Sequence, residues 1–217
     1  MTGYTCYLGL PRAALAEILS ESGCFLLMQA LWHQGGGAWA GTHDRDRNEL
    51  ALMAEEFELT DDGSVLVDRY ARLLSTFDQR YPEARKLCAH VEWAHDLLQA
   101  VLAHYFRGQG IAAAAGLARA AVHGEVAGEG LGELMCLSEA TVLRIGRGLC
   151  GANPRCLLAA LPTLGDQDCL RELGASQGER RECLSALAND SEVRHELEDL
   201  VFMYARASEL SHLVLIG

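Results

Sequence analysis

Residues 82–107, PEARKLCAHVEWAHDLLQAVLAHYFR, form the longest uninterrupted periodic stretch of the chain and constrain its fold more than any other segment. Ala84, Leu87, Val91, Leu98, Leu102 and Tyr105 recur at steps of three, four or their sum. That spacing places them on one face of a helix. Pro82 suits the first turn, where its missing N–H costs nothing. Gly108 suits the left-handed position after the last turn. About 25 residues rising about 1.5 Å each would cross a small domain. The expectation is a single central helix over 82–107 with the rest of the chain packed round it.

Other segments read the same way. Tyr4, Cys6, Leu8 and Leu10 alternate, which suits a short extended arm, and Pro11 opens a helix. Trp32 and Trp39 flank Gly35, Gly36 and Gly37, a run too costly in backbone entropy for a helix and therefore a loop or hinge. IAAAAGLARAAVHG (111–124) is a helix of small residues that lets a neighbour come close. Gly-rich residues 124–132 form a loop, and a break between two subdomains would fall there. Ser138, Asn153 with Pro154, Ser176 and the run NDSE (189–192) each read as a helix start. Leu213, Val214, Leu215 and Ile216 make an apolar tail that docks on its own domain or on a partner. The sum is an all-α, irregular bundle of about nine or ten helices in one domain, 1–217.

Composition limits the function classes. With 30 acids against 18 bases the formal net charge is −12, which disfavours capture of nucleic acid or an anionic membrane and favours a basic partner. Net charge is an average, so a local basic patch remains compatible with it. No apolar run is long enough to span a bilayer. Eight cysteines occur with no CxxC pair and no secretory leader pattern, which suits reduced thiols in the cytoplasm or nucleus.

Several patterns touch on chemistry. Glu92-Trp-Ala-His95 and Glu192-Val-Arg-His195 repeat the Glu-x-x-His of carboxylate-bridged di-metal bundles. Helical phase separates them: His95 falls on the apolar face, whereas His195 lies about 160° from Val193 and faces solvent. His95-Asp96, with His33 or His43 upstream, matches part of the pattern of helical metal-dependent phosphohydrolases. Adjacent helix positions diverge by about 100°, however. Gly146-Arg-Gly-Leu-Cys-Gly151 fits GxGxxG, but Pro154 would sit inside the helix that a dinucleotide site needs. It reads instead as a helix C-terminus followed by a turn. Cys88, Glu92, His95 and Gln99, spaced four, three and four, form one edge of the expected helix and read as a polar packing seam.

With no convergent catalytic set, the reading is a non-enzymatic, intracellular interaction or regulatory module. It presents a groove or exposed face between helices to another protein or a helical peptide, without a cofactor. Trp32, Gly36 and Trp39, with Leu213 and Ile216, are the candidate partner-binding residues. One alternative is a helical metal-dependent hydrolase or oxidase centred on His95, with Glu92 and Asp96 as further candidate ligands. Another is a binder of apolar small ligands, because an Ala/Leu core with few aromatics leaves room for a cavity.

Overall fold

A computed structural model describes residues 5–20, 79–83, 87–92, 94–124, 135–164 and 176–216 of the chain. Its first element is a strand, β1 (Thr5–Leu10), where the alternating arm was expected. Pro11 then opens α1 (Arg12–Ser20). Three further strands, β2 (Cys88–Val91), β3 (Met135–Leu137) and β4 (Leu213–Ile216), complete an antiparallel sheet in the order β2-β1-β4-β3.

The chain is therefore not all-α: it is mostly helical but built round this four-stranded sheet. Among the described residues there are seven α-helices rather than nine or ten. Besides α1 these are α2 (His95–Gly108), α3 (Ala114–His123), α4 (Glu139–Leu149), α5 (Pro154–Leu158), α6 (Gln177–Leu187) and α7 (Ser191–Glu209). A short 3-10 turn, Leu161–Thr163, follows α5.

The expected central helix over 82–107 is split. Its first half gives β2, and helix begins only at His95. Leu87 and Val91 are four apart, so they fit a helical stripe, but Leu87, Ala89 and Val91 also alternate, and all three are buried. A four-residue run cannot discriminate between the two periods. Pairing decides it: Thr5 lies opposite Val91 and Leu8 opposite Cys88, so β2 forms because β1 offers it a ladder. The apolar face of α2 is also broader than expected, with Leu97, Leu98, Val101, Leu102 and Phe106 all buried. After it, Gly110 rather than Gly108 takes the left-handed conformation, at φ +71°.

Register fixes two sheet faces. Tyr7 stands opposite both Ala89 and Ile216, and Val214 opposite Leu137. These residues share one face and join α2, α3, α4 and α7 in a single core. Leu8, Leu10, Leu213 and Leu215 point the other way and are buried as well. Burial on both faces explains why β4 reads as an unbroken aliphatic run, LVLI, with no alternation.

Two tyrosines tie the layers together. The Tyr7 hydroxyl donates to the Val122 carbonyl at 2.5 Å and the Tyr204 hydroxyl to the Ala121 carbonyl at 2.8 Å. Both acceptors lie in the last turn of α3, where carbonyls have no partner within their own helix. Tyr204 is wholly buried, and desolvation holds its phenol in the neutral form that donates. Sheet and α7 thus meet at one helix end. Beside it, α4 crosses α7 closely: a Cβ on Gly146 would collide with Ser208 and with the Tyr204 carbonyl. A Cβ on Gly148 would come within 2.8 Å of Phe106. The glycines of the GxGxxG pattern therefore serve helix packing, and Gly151 takes the turn at φ +74°.

The expected helix starts are where the capping chemistry puts them. Ser138 accepts from the Thr141 amide, Asn153 from Arg155 and Asp190 from Glu192 and Val193. Ser176 and Glu179 form a reciprocal capping box.

Candidate functional site

Two regions hold polar groups that could act on something outside the fold. The first is a seam where β1, β2, α2, α3 and α7 meet. His95 is the first residue of α2, and its Nε2 lies 2.8 Å from Thr5 Oγ1. Its ring stacks on that of His123, the last residue of α3, with centroids 6.0 Å apart. Burial pushes the His95 pKa down, the neighbouring His123 adds to this and Asp96 opposes it. His123 is pushed down by burial too, with Asp96 opposing and Arg119 adding to the fall.

Glu196 of α7 is 9% exposed. Its Oε1 accepts the Glu92 amide at 3.0 Å, and its Oε2 has no hydrogen-bond partner among the described residues. Burial pushes its pKa up, the Glu92 and Ala94 amides resist, and the charges of Glu92 and Glu192 push it further. On β2, Cys88 Sγ lies 3.4 Å from His90 Nε2. Burial lowers the His90 pKa, and the Asp199 charge works against that.

The expected stripe of Cys88, Glu92, His95 and Gln99 therefore does not run down one helix edge. Cys88 is on a strand, Glu92 follows it, and only His95 and Gln99 are helical. Of the candidate metal ligands, Glu92 and Asp96 are exposed and His95 is half-buried. Among the described residues no three His, Cys, Asp or Glu side chains gather closely enough to hold a metal ion. His195 faces solvent and pairs with Asp199 at 3.5 Å across one turn of α7. Leu213 and Ile216 are 4% and 2% exposed within β4, so the apolar tail docks on its own sheet. Trp32, Gly36 and Trp39 lie outside the described residues, as do residues 125–134 of the glycine-rich loop.

The second region is a cleft of about 520 Å³ between α5, the 3-10 turn, the end of α6 and the start of α7. Leu158, Ala159, Pro162 and Ala188 supply apolar wall, and Arg155, Ser185, Asn189 and Arg194 the polar groups. The volume falls in the range of ligand sites, about 300–1,000 Å³. Its walls are set by local structure. Pro154 and the Asn153 cap start α5, and the Asp190 cap starts α7 and so sets the direction of Arg194. Asn189 donates to the Ser185 carbonyl at 2.8 Å, which closes the end of α6. Arg155 is exposed and forms no ion pair with any described residue. Arg194 is loosely paired with Glu198 at 3.8 Å, with both side chains more than a third exposed.

Sequence reasoning missed this cleft. Its polar residues come from three helices and the turn between two of them, and no spacing within any one marks them. The caps that orient it were readable, but the convergence was not. Against known proteins, the chain matches no family model, no curated protein and no solved structure.

Proposed function

We propose that the chain is a non-enzymatic interaction module that receives a peptide segment of a partner protein in the cleft between α5 and the α6–α7 junction. One observation carries this reading: the two guanidinium groups that line the cleft are left largely uncommitted by the fold. Arg155 has no described ion pair, and Arg194 has only a loose, solvent-exposed one. An exposed pair of this kind is worth little and exchanges readily. In the seam, by contrast, His95 lies within hydrogen-bond range of Thr5 and stacks on His123, and Glu196 accepts the Glu92 amide.

The wall is open as well as polar. Arg155, Ala159 and Asn189 are all exposed, so an occupant would be covered on one side only. That suits a chain segment lying across the surface. Grooves between helices are a recurrent seat for peptides, and arginine is over-represented among the residues that dominate such contacts.

The test is Ala159→Trp. Ala159 is exposed at the end of α5, so the larger side chain fills the cleft without disturbing the core. Binding is read on an array of short immobilised peptides with randomised flanks. The expected result is loss of the bound peptides with an unchanged thermal melt. Unchanged binding by the filled variant would remove the reading.

A further inference from the structure

We infer that the segment taken by this cleft is acidic. It would set an oxyanion, a carboxylate or a phosphate ester, against Arg155 and Arg194, and an apolar neighbour against Pro162 and Ala188. The inference rests on the cleft being the interaction site and adds the chemical class of its occupant.

The argument is one of charge complementarity. The chain as a whole carries −12, which taken alone favours a basic partner. The cleft reverses that locally: two guanidinium groups line it and, among the described residues, no carboxylate does. The acids one turn to either side of Arg194 on α7 are engaged. Asp190 accepts the Glu192 and Val193 amides at the α7 N-terminus, at 2.7 and 3.2 Å. Glu198 sits one turn beyond Arg194 and holds it only at 3.8 Å. A lysine-bearing segment would meet two like charges there. An acidic one would displace a weak exposed pair on Arg194 and give Arg155 a partner that no described residue provides. Guanidinium binds oxyanions by paired, parallel hydrogen bonds, and these are about twice as strong as neutral ones.

The remaining lining agrees with this. Ser185 donates its hydroxyl to the Arg181 carbonyl, and Asn189 donates one N–H to the Ser185 carbonyl. Each still has hydrogen-bonding capacity for the backbone of an occupant. Ala159, Pro162 and Ala188 offer contact to an apolar side chain beside the anionic one.

The experiment uses the full chain and four peptide arms with the same randomised flanks, centred on serine, phosphoserine, glutamate or lysine. Wild type is expected to favour the phosphoserine or glutamate arm over the lysine arm by about tenfold or more, with affinity falling as salt is added. Arg155→Ala with Arg194→Ala should cost about ten- to a hundredfold on that arm, the worth of charge-assisted hydrogen bonds. Preference between the phosphoserine and glutamate arms tells which oxyanion is used, and either outcome supports the inference. Equal binding in all arms, or a double variant that binds acidic peptides as wild type does, overturns it. If Ala159→Trp still abolishes binding in that case, the cleft stands as an interaction site of another class. If Ala159→Trp changes nothing, or no arm binds at all, both readings fall together.

Discussion

Glu196 and Arg194 stand two residues apart on α7 and point about 160° away from each other. Glu196 faces the sheet, is almost fully buried and accepts the Glu92 amide. Arg194 faces the cleft, is half exposed and has one loose partner. The same contrast holds for the regions around them. The seam of Thr5, Glu92, His95, His123 and Glu196 is assembled from five elements or their ends, and its contacts hold those elements together. The cleft of Arg155, Ser185, Asn189 and Arg194 is assembled from helix ends and stays open. Polar groups of the first kind specify how sheet and helices meet. Those of the second kind are free to meet something else. Stability measurements and binding measurements should therefore separate the two.

The largest effect is expected away from the cleft altogether. Gly146→Leu forces α4 from α7, because even a Cβ there collides with Ser208 and the Tyr204 carbonyl. A loss of about 3 kcal/mol in a denaturant titration is expected, the upper part of the usual range for overpacking. Next comes Tyr204→Phe, which leaves the buried Ala121 carbonyl without its donor. The expected cost is about 2 kcal/mol. If either variant lowers peptide affinity at a temperature where it remains folded, the separation of the two regions is wrong.

The seam also makes stability depend on pH. His90, His95 and His123 are all held below their ordinary value of 6.5, chiefly by burial. In the window between each lowered pKa and 6.5, the unfolded chain binds more protons than the folded one. The contribution of these groups is therefore complete above pH 6.5 and is lost as pH falls through the folded values. Thermal melts should move to lower temperature from pH 7 toward pH 5, and His95→Gln with His123→Gln should make that slope shallower. Glu196 works in the opposite sense. Its raised pKa gives stability that is present below its ordinary value of 4.5 and lost as pH rises through the folded value. Glu196→Gln removes the buried charge while keeping an acceptor for the Glu92 amide, so it should raise the melting temperature at pH 8 and have less effect at pH 4. A slope that survives both histidine changes would mean that the seam does not control the acid response.

The smallest stability effect is expected in the cleft. Arg155 is exposed and unpaired among the described residues, so Arg155→Ala should change unfolding free energy by no more than about 0.5 kcal/mol. A larger loss would show that this side chain belongs to the fold and weaken the distinction drawn here.

Much of the local structure was legible in the sequence. Ser138, Asn153, Ser176 and Asp190 announce their helices because a cap is a bond between a side chain and an amide two or three residues away. The alternation of β1 and the small-residue helix α3 were legible for the same reason, since both patterns repeat within one element. His195 was correctly placed in solvent by helical phase alone. The candidate site was hardly legible. Arg155 and Arg194 look like any surface arginines until α5 and the α6–α7 junction are brought side by side.

What the sequence determined by itself is thus the set of local bonds: caps, turns and the apolar stripes of the longer helices. What only the tertiary structure decided is the state of segments too short to declare their own period. CAHV became β2 and LVLI became β4 because β1 lay between them with free amides and carbonyls on both sides. A strand of four residues gains its hydrogen bonds from a partner remote in sequence, whereas a helix gains them from itself. The stretch 82–107, which looked like one helix, holds a strand over Cys88–Val91 and a helix from His95 onward.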